Sequence, residues 1–276
     1  MTARGRGIRI GALALSVLAL ALAGCSVEPE SDAGSTGSAG DALDGDLTIF
    51  AAASLKRAFD ELAARFEAVH PDVDVAPISY DGSSTLATQL LEGAQADVFA
   101  SADETNLARV ADEGLVDDEA VPFASNVLQI AVQPGNPLHI DELADLAHAG
   151  AGAGGSSAPV VVLCAPEVPC GAAAQTLLTR ARVALTPASE EQNVTAVLTK
   201  VRAGEADAGL VYATDIDAAA GEVDGIEIEG ADAATNVYPI AALSAASNPA
   251  AARAFVEFVR SPAGADVLDA FGFGRP

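Results

Sequence analysis

Positive charge is scarce in this sequence. Its 276 residues include 14 lysines and arginines against 39 aspartates and glutamates, which gives a formal net charge of -25 at pH 7. Such an acidic surface repels nucleic acid and anionic lipid headgroups, so we expect neither as a partner. It also repels a dissolved anion at long range, and any anion site must therefore bind through short-range geometry.

Motifs for nucleophilic catalysis and for ATP hydrolysis are also missing. The sequence has no Gly-x-Ser-x-Gly elbow, and its three histidines show no evident relation to a serine. It has no Gly-x-x-x-x-Gly-Lys-Ser/Thr loop either. These absences favour a binding protein over an enzyme. Two alternatives come from other functional classes. One is an exported serine hydrolase with Ser54 or Ser83 as nucleophile, and the other is a purely structural surface lipoprotein.

The N-terminus has the order of an export signal. Arginines within the first nine residues precede an apolar run at residues 10–23, which is too short and wrongly flanked for a stable membrane span. Small residues then precede Cys25, an arrangement that resembles the lipobox of bacterial lipoproteins, in which cleavage leaves a lipidated cysteine at the new N-terminus. We therefore expect residues 1–24 to be a lipoprotein signal peptide.

Residues 26–45 are rich in serine, glycine, alanine and acids, and they show no apolar periodicity. We expect residues 25–45 to form a flexible tether from the lipid on Cys25 to the globular part. The lipid would hold the protein at the outer face of the cell membrane as an anchor and not as a span. An ordinary secreted protein whose signal happens to contain a cysteine is the alternative.

Cysteine is rare as well, with three in the whole chain. Cys164 and Cys170 lie six residues apart, and outside the cytoplasm such a pair favours a disulfide. Two free thiols are the alternative. A zinc site is disfavoured, because His70, His139 and His148 fall in no ligand spacing near these cysteines.

Strand-like apolar runs alternate with helical patterns over most of residues 46–276, which predicts an α/β fold with largely parallel sheets. The clearest helix is predicted by the apolar spacing of Leu55, Phe59, Leu62, Phe66 and Val69, and Pro71 stops it.

The order of these patterns predicts two α/β lobes joined by two crossing segments, near residues 125–128 and 235–240. The predicted lobes are residues 46–125 plus 236–276, and residues 126–235. Ligands of such folds bind in the cleft at the carboxyl ends of strands, where helix N-termini converge.

Two serines stand where an apolar strand runs into an amphipathic helix. Ser54 follows three alanines, and Ser83 follows Gly82. A helix start offers free peptide N–H groups and a partial positive charge, so both joints are candidate anion sites built from neutral donors. A plain N-cap explains each serine equally well, with Ser84 as a rival cap to Ser83.

The chain as a whole resembles the molybdate-binding proteins of bacterial ABC importers. The resemblance covers nearly all of residues 46–273, and its motifs follow the family's order. They are AAASL at 51–55, SSTLATQL at 83–90, ADVFASAD at 96–103, PEVPCG at 166–171, NVTAVLTKVRAGEADAGLVYATD at 193–215 and FGF at 271–273.

This resemblance implies the type II periplasmic-binding-protein fold, with a tetrahedral oxyanion held in the cleft by hydroxyls and backbone amides. Carried over by position, the implied ligand residues are Ser54, Ser83, Cys170, Val194 and Tyr212, which bind the oxygens without any direct metal ligand. Cys170 and Val194 would act through their backbone N–H groups. Cys170 stands where the family has alanine, a change that a backbone donor tolerates.

The resemblance further implies high-affinity binding of molybdate or tungstate and delivery to an ABC permease with its cytoplasmic ATPase. We expect no cofactor, no enzymatic activity and a monomer. A site made only of N–H and O–H donors would disfavour hydrogen phosphate, because the ligand's proton would find no acceptor. A receptor for another tetrahedral oxyanion, such as sulfate, is the alternative on the same fold.

Overall fold

The computed structural model describes residues 43–147 and 158–276, which lie within one compact unit, Asp41–Pro276. The expected signal peptide, Cys25 and nearly all of the expected tether lie outside the described residues, as does His148. Within the described residues, no helix is both long enough and apolar enough to cross a bilayer.

Helices and short strands alternate along the described chain. The α-helices are α1 (Lys56–Val69), α2 (Ser83–Leu91), α3 (Glu104–Asp112), α4 (Pro169–Ala181), α5 (Val194–Arg202), α6 (Ala213–Ala218), α7 (Pro249–Arg260) and α8 (Pro262–Ala270). Short 3-10 helices lie at Ala53–Leu55, Leu143–Ala147 and Ala231–Ala234.

The strands are β1 (Gly45–Leu47), β2 (Ile49–Ala52), β3 (Val73–Val75), β4 (Ser79–Asp81), β5 (Val98–Ala100), β6 (Val121–Asn126), β7 (Leu128–Val132), β8 (Val161–Cys164), β9 (Ser189–Glu191), β10 (Ala208–Tyr212), β11 (Asp224–Glu227) and β12 (Asn236–Ala242). Strands β1 and β3 form a small parallel pair, and the others form two five-stranded sheets.

The first sheet has the order β4-β2-β5-β12-β6, and the second has the order β11-β7-β10-β8-β9. The first sheet therefore takes its strands from both ends of the described chain, and the second takes them from the middle. This arrangement agrees with the two lobes expected from the sequence, although the lobe boundaries themselves stay a prediction.

Both sheets are mixed, which corrects the expectation of largely parallel sheets. In the first sheet β2 runs parallel to β4 and β5, whereas β12 is antiparallel to β5 and β6. In the second sheet β8 runs parallel to β9 and β10, whereas β7 is antiparallel to β10 and β11. Each antiparallel pair contains β7 or β12, the strands that directly follow the two passages between the sheets.

Helix α1 shows how sequence spacing builds the core. Phe59, Leu62 and Phe66 are fully buried along one face of the helix, and Phe66 packs edge-to-face on Phe255 of α7. Val69 fits the same spacing but is 60% exposed, because it is the last residue of the helix and lies beyond the packed face.

A disulfide joins the end of β8 to the first turn of α4. Cys164 and Cys170 are bonded, with their Cα atoms 5.8 Å apart. The chain between them folds back so tightly that a Cβ on Gly171 would lie 1.9 Å from the carbonyl oxygen of Ala165. The bond therefore closes a compact loop directly before the body of α4.

Removing this cross-link should lower stability. Replacing both Cys164 and Cys170 with alanine should reduce the free energy of unfolding by about 2 kcal/mol, because the unfolded chain regains loop entropy. Urea titrations of the oxidised protein and the double variant measure the difference. Added reductant should lower the unfolding midpoint of the oxidised protein and leave that of the double variant unchanged. Equal midpoints for the two proteins would contradict this expectation.

Candidate anion-binding site

All five residues that the sequence implied as ligands line one small cavity. Ser54 lies in the 3-10 turn after β2, and Ser83 begins α2. Cys170 lies in the first turn of α4, Val194 begins α5, and Tyr212 ends β10. The cavity thus receives residues from elements of both sheets.

The size of the cavity restricts what it can bind. Its volume is about 10 Å³ for the centre of a water-sized probe, far below the roughly 300–1,000 Å³ of pockets that take drug-sized ligands. The start of α2, α4 and α5 all face it, so peptide N–H groups and helix dipoles converge on one place. This geometry suits a small anion and excludes an oligosaccharide or a peptide.

Neither serine is a helix cap, so the simpler explanation of each is wrong. Gly82 is the N-cap of α2 and makes no side-chain cap bond, and the 3-10 turn that contains Ser54 also begins without one. The Ser84 hydroxyl, the rival cap, is buried without a hydrogen-bond partner among the described residues. Backbone N–H groups at the start of α2 are therefore not taken up by side chains.

The two serine hydroxyls are instead held by partners distant in sequence. The Ser83 Oγ accepts from the backbone N–H of Ala102 at 2.9 Å, which leaves the hydroxyl proton of Ser83 free to donate. The Ser54 Oγ lies 3.0 Å from the hydroxyl of Tyr238, a residue that is fully buried. Sequence reasoning missed Tyr238, because 184 residues separate it from Ser54.

Tyr212 presents a hydroxyl that the described protein leaves without a partner. Its side chain is 1% exposed, and its hydroxyl makes no hydrogen bond of normal geometry to a described residue. Burial raises the pKa of Tyr212 well above its usual value, and the neighbouring Tyr238 raises it further. The phenol is therefore neutral and offers a proton, which is the state that an anion needs.

Asp81 also lines the cavity, so the expectation of a lining made only of donors was incomplete. Its Oδ1 accepts from the backbone N–H of Gly82 at 2.7 Å and from the Nδ2 of Asn193 at 2.8 Å. The position of Asp81 directly before the Gly-Ser-Ser turn was the available signal, but its partner lies 112 residues away.

A second carboxylate lies beneath Tyr212. Asp215, in the first turn of α6, accepts from the backbone N–H of Tyr212 at 3.0 Å and is buried. Burial raises the pKa of Asp215 from 3.8 to about 7, and the bond from Tyr212 offsets only part of this rise. Asp215 is therefore uncharged in much of the folded protein near neutral pH.

Residues 47–274 match the family described as bacterial extracellular solute-binding protein. Over 230 residues the chain is 44% identical to the molybdate-binding protein ModA of Mycobacterium tuberculosis, a match that covers 83% of this chain and 85% of that protein.

Two solved structures share the fold. The periplasmic molybdate-binding protein of Azotobacter vinelandii superposes with a TM-score of 0.69 at 21% identity, covering 83% of this chain and 99% of that one. The sulfate-binding protein SubI of Mycobacterium tuberculosis superposes with a TM-score of 0.66 at 20% identity, covering 83% of this chain and 86% of that one.

The unpartnered hydroxyl predicts an unusual response to mutation. Without ligand, Tyr212→Phe should leave the free energy of unfolding unchanged or raise it by about 1 kcal/mol, because a buried unpaired polar group is removed. Tyr238→Phe is the matched control and should lose about 1 kcal/mol, because its hydroxyl is paired with Ser54. Urea unfolding measures both, and a larger loss for Tyr212→Phe would contradict the assignment.

The buried carboxylate predicts a pH dependence. Below pH 3.8 Asp215 is protonated in both folded and unfolded chains, and between pH 3.8 and about 7 mainly the unfolded chain loses the proton. This residue therefore makes the protein less stable as the pH rises through that window. Asp215→Asn keeps the acceptor for Tyr212 and should stabilise by up to about 4 kcal/mol at pH 8, with little gain at pH 4.

Urea titrations of wild type and Asp215→Asn at pH 4, 6 and 8 measure the difference in their free energies of unfolding. All other carboxylates are common to the two proteins, so their contributions cancel in this difference. A difference that stays constant across the three pH values would show that Asp215 does not titrate in this window.

Proposed function

The chain belongs to the bacterial extracellular solute-binding proteins, and we propose that it binds molybdate outside the cytoplasmic membrane and delivers it to an ABC permease. Its fold is the type II periplasmic-binding-protein fold, with two α/β sheets and a cleft between them. It is a solute-binding protein and not an enzyme, in agreement with the missing catalytic motifs.

One observation supports the ligand most directly. The five residues implied by the resemblance surround a single cavity, and one of them carries a buried hydroxyl that makes no hydrogen bond of normal geometry to a described residue. Buried polar groups are nearly always satisfied, so an unsatisfied donor that faces a cavity suggests that the bound ligand is its partner. A tetrahedral oxyanion supplies four acceptor atoms for the donors that line this cavity.

Neutral donors are sufficient for tight binding. Each hydrogen bond to a charged group contributes about 1.5–3 kcal/mol net, and micromolar affinity requires about 8 kcal/mol. Five donor residues, some of which give both N–H and O–H, reach that value after the cost of closing the cleft. No lysine or arginine is needed, which fits a chain with so few of them.

Selectivity among oxyanions would come from size. Donors spaced for molybdate suit the similar tungstate ion, but they cannot all reach the smaller sulfate. The sulfate-binding protein that shares the fold makes sulfate the second candidate ligand. Asp81 gives the lining an acceptor, so exclusion of hydrogen phosphate would also depend on size.

The remaining parts of the proposal concern location and partners. Export through residues 1–24, a lipid on Cys25 and a tether over residues 25–45 would place the protein at the outer face of the membrane. A membrane permease and its cytoplasmic ATPase would complete the importer. We propose that the protein acts as a monomer and without a cofactor.

Isothermal titration calorimetry with four sodium salts tests the ligand. Molybdate and tungstate should bind with comparable affinity, and sulfate and phosphate far more weakly. Ser83→Ala and Tyr212→Phe should each weaken molybdate binding by about 10-fold or more, since each removes one hydrogen bond to a charged group. Equal affinity for sulfate would favour the second candidate.

Ser84→Ala is the control. Ser84 is the neighbour of Ser83 and is also buried, but it lines a separate, larger cavity. Its loss should leave the affinity for molybdate unchanged. A loss of binding in Ser84→Ala as large as in Ser83→Ala would mean that the helix start, and not the Ser83 hydroxyl, carries the effect.

A further inference from the structure

A side-chain hydrogen bond connects the two sides of the candidate site. The Nδ2 of Asn193 donates to the Oδ1 of Asp81 at 2.8 Å. Asp81 ends β4 in the first sheet, and Asn193 is the N-cap of α5, which packs on β8 and β10 of the second sheet. We refer to Asp81 and Asn193 together as the clasp.

Each side chain of the clasp is fixed by its own side of the molecule. The Oδ1 of Asn193 accepts from the backbone N–H of Ala196, so its amide nitrogen is directed at Asp81. The Oδ1 of Asp81 also accepts from the backbone N–H of Gly82. Because both groups are already oriented, forming the bond between them orders little further rotamer freedom.

The backbones beside the clasp touch. A Cβ on Gly82 would lie 2.0 Å from the carbonyl oxygen of Gln192. The φ and ψ of Gly82 are -59° and 137°, values that any residue adopts. Glycine is therefore required here by the close approach of the facing chain and not by its own backbone conformation.

The residues that follow the clasp on both sides are proposed ligand residues. Ser83 comes two positions after Asp81, and Val194 comes directly after Asn193. The distance between these two donors is therefore set within a few bonds of the clasp. A carboxylate in the lining of a dianion site also weakens binding by repulsion, so its presence points to a separate role.

We propose that Asp81 and Asn193 are positioning residues that hold the cavity closed and set the spacing between Ser83 and Val194. That spacing determines which size of tetrahedral oxyanion the site prefers. This inference rests on the proposed function, since it concerns selectivity at the same site.

Exchange of the two side chains tests the clasp. Asn193→Asp keeps a good N-cap for α5 but sets two carboxylates against each other. It should raise the Kd for molybdate by about 10-fold or more and reduce the discrimination against sulfate. In the Asp81→Asn background the same change restores one donor and one acceptor. Relative to the Asp81→Asn single variant, the double variant should therefore raise the Kd by no more than about 2-fold.

Gly82→Ala approaches the same contact from the backbone. It should raise the Kd by about 10-fold or more, because the added Cβ holds the two chains apart. Thermal unfolding of each variant without ligand serves as the folding control, and each variant should still unfold in one cooperative transition above the temperature of the titrations. Equal effects of Asn193→Asp in both backgrounds, or wild-type affinity in Gly82→Ala, would overturn the proposal.

The titrations use molybdate, tungstate, sulfate and phosphate, and the clasp is scored on the ion that the wild type binds most tightly. If that ion is sulfate, the proposed function fails while the exchange still tests the clasp. If the wild type binds none of the four, both the proposed function and the clasp are overturned.

Discussion

A doubly charged oxyanion leaves water only where hydrogen-bond donors replace its hydration, and the described lining of the cavity includes no lysine or arginine. That requirement explains the architecture around the cavity. Helix starts are where a folded chain holds unpaired N–H groups, and α2, α4 and α5 all begin there. The α/β fold directs those starts toward one point from two different sheets.

The same requirement explains why polar partners inside the protein matter as much as the donors. Ser83 accepts from the Ala102 N–H, which leaves its hydroxyl proton free to donate, and Ser54 is held by Tyr238. Tyr212 stays neutral because burial raises its pKa. In the proposed site each donor is thus oriented by its surroundings inside the protein, which would reduce the entropy lost on binding.

Sequence reasoning reached the parts of this site that local pattern encodes. Ser54 and Ser83 stand at junctions between strand and helix, so their placement is visible without any structure. Val194 and Tyr212 look like ordinary buried residues, and only the resemblance to a family singled them out. Tyr238 could not be found, because its contact with Ser54 depends on how β12 returns to the first sheet.

The sheets show the same division between local and distant information. Apolar runs predict that strands exist, but they do not encode direction, so the antiparallel pairing of β12 with β5 and β6 was not predicted. Asp81 and Asn193 each looked like ordinary polar residues beside a turn or a helix. Their contact depends on the relative placement of two sheets, which no local pattern specifies.

The disulfide between Cys164 and Cys170 relates the binding loop to cellular compartment. In the reducing cytoplasm the two cysteines of a newly made chain stay thiols, so the turn that carries the Cys170 N–H lacks its cross-link. We therefore expect the cross-link of this loop to form outside the cytoplasm, on the side of the membrane where extracellular solute-binding proteins collect their solutes.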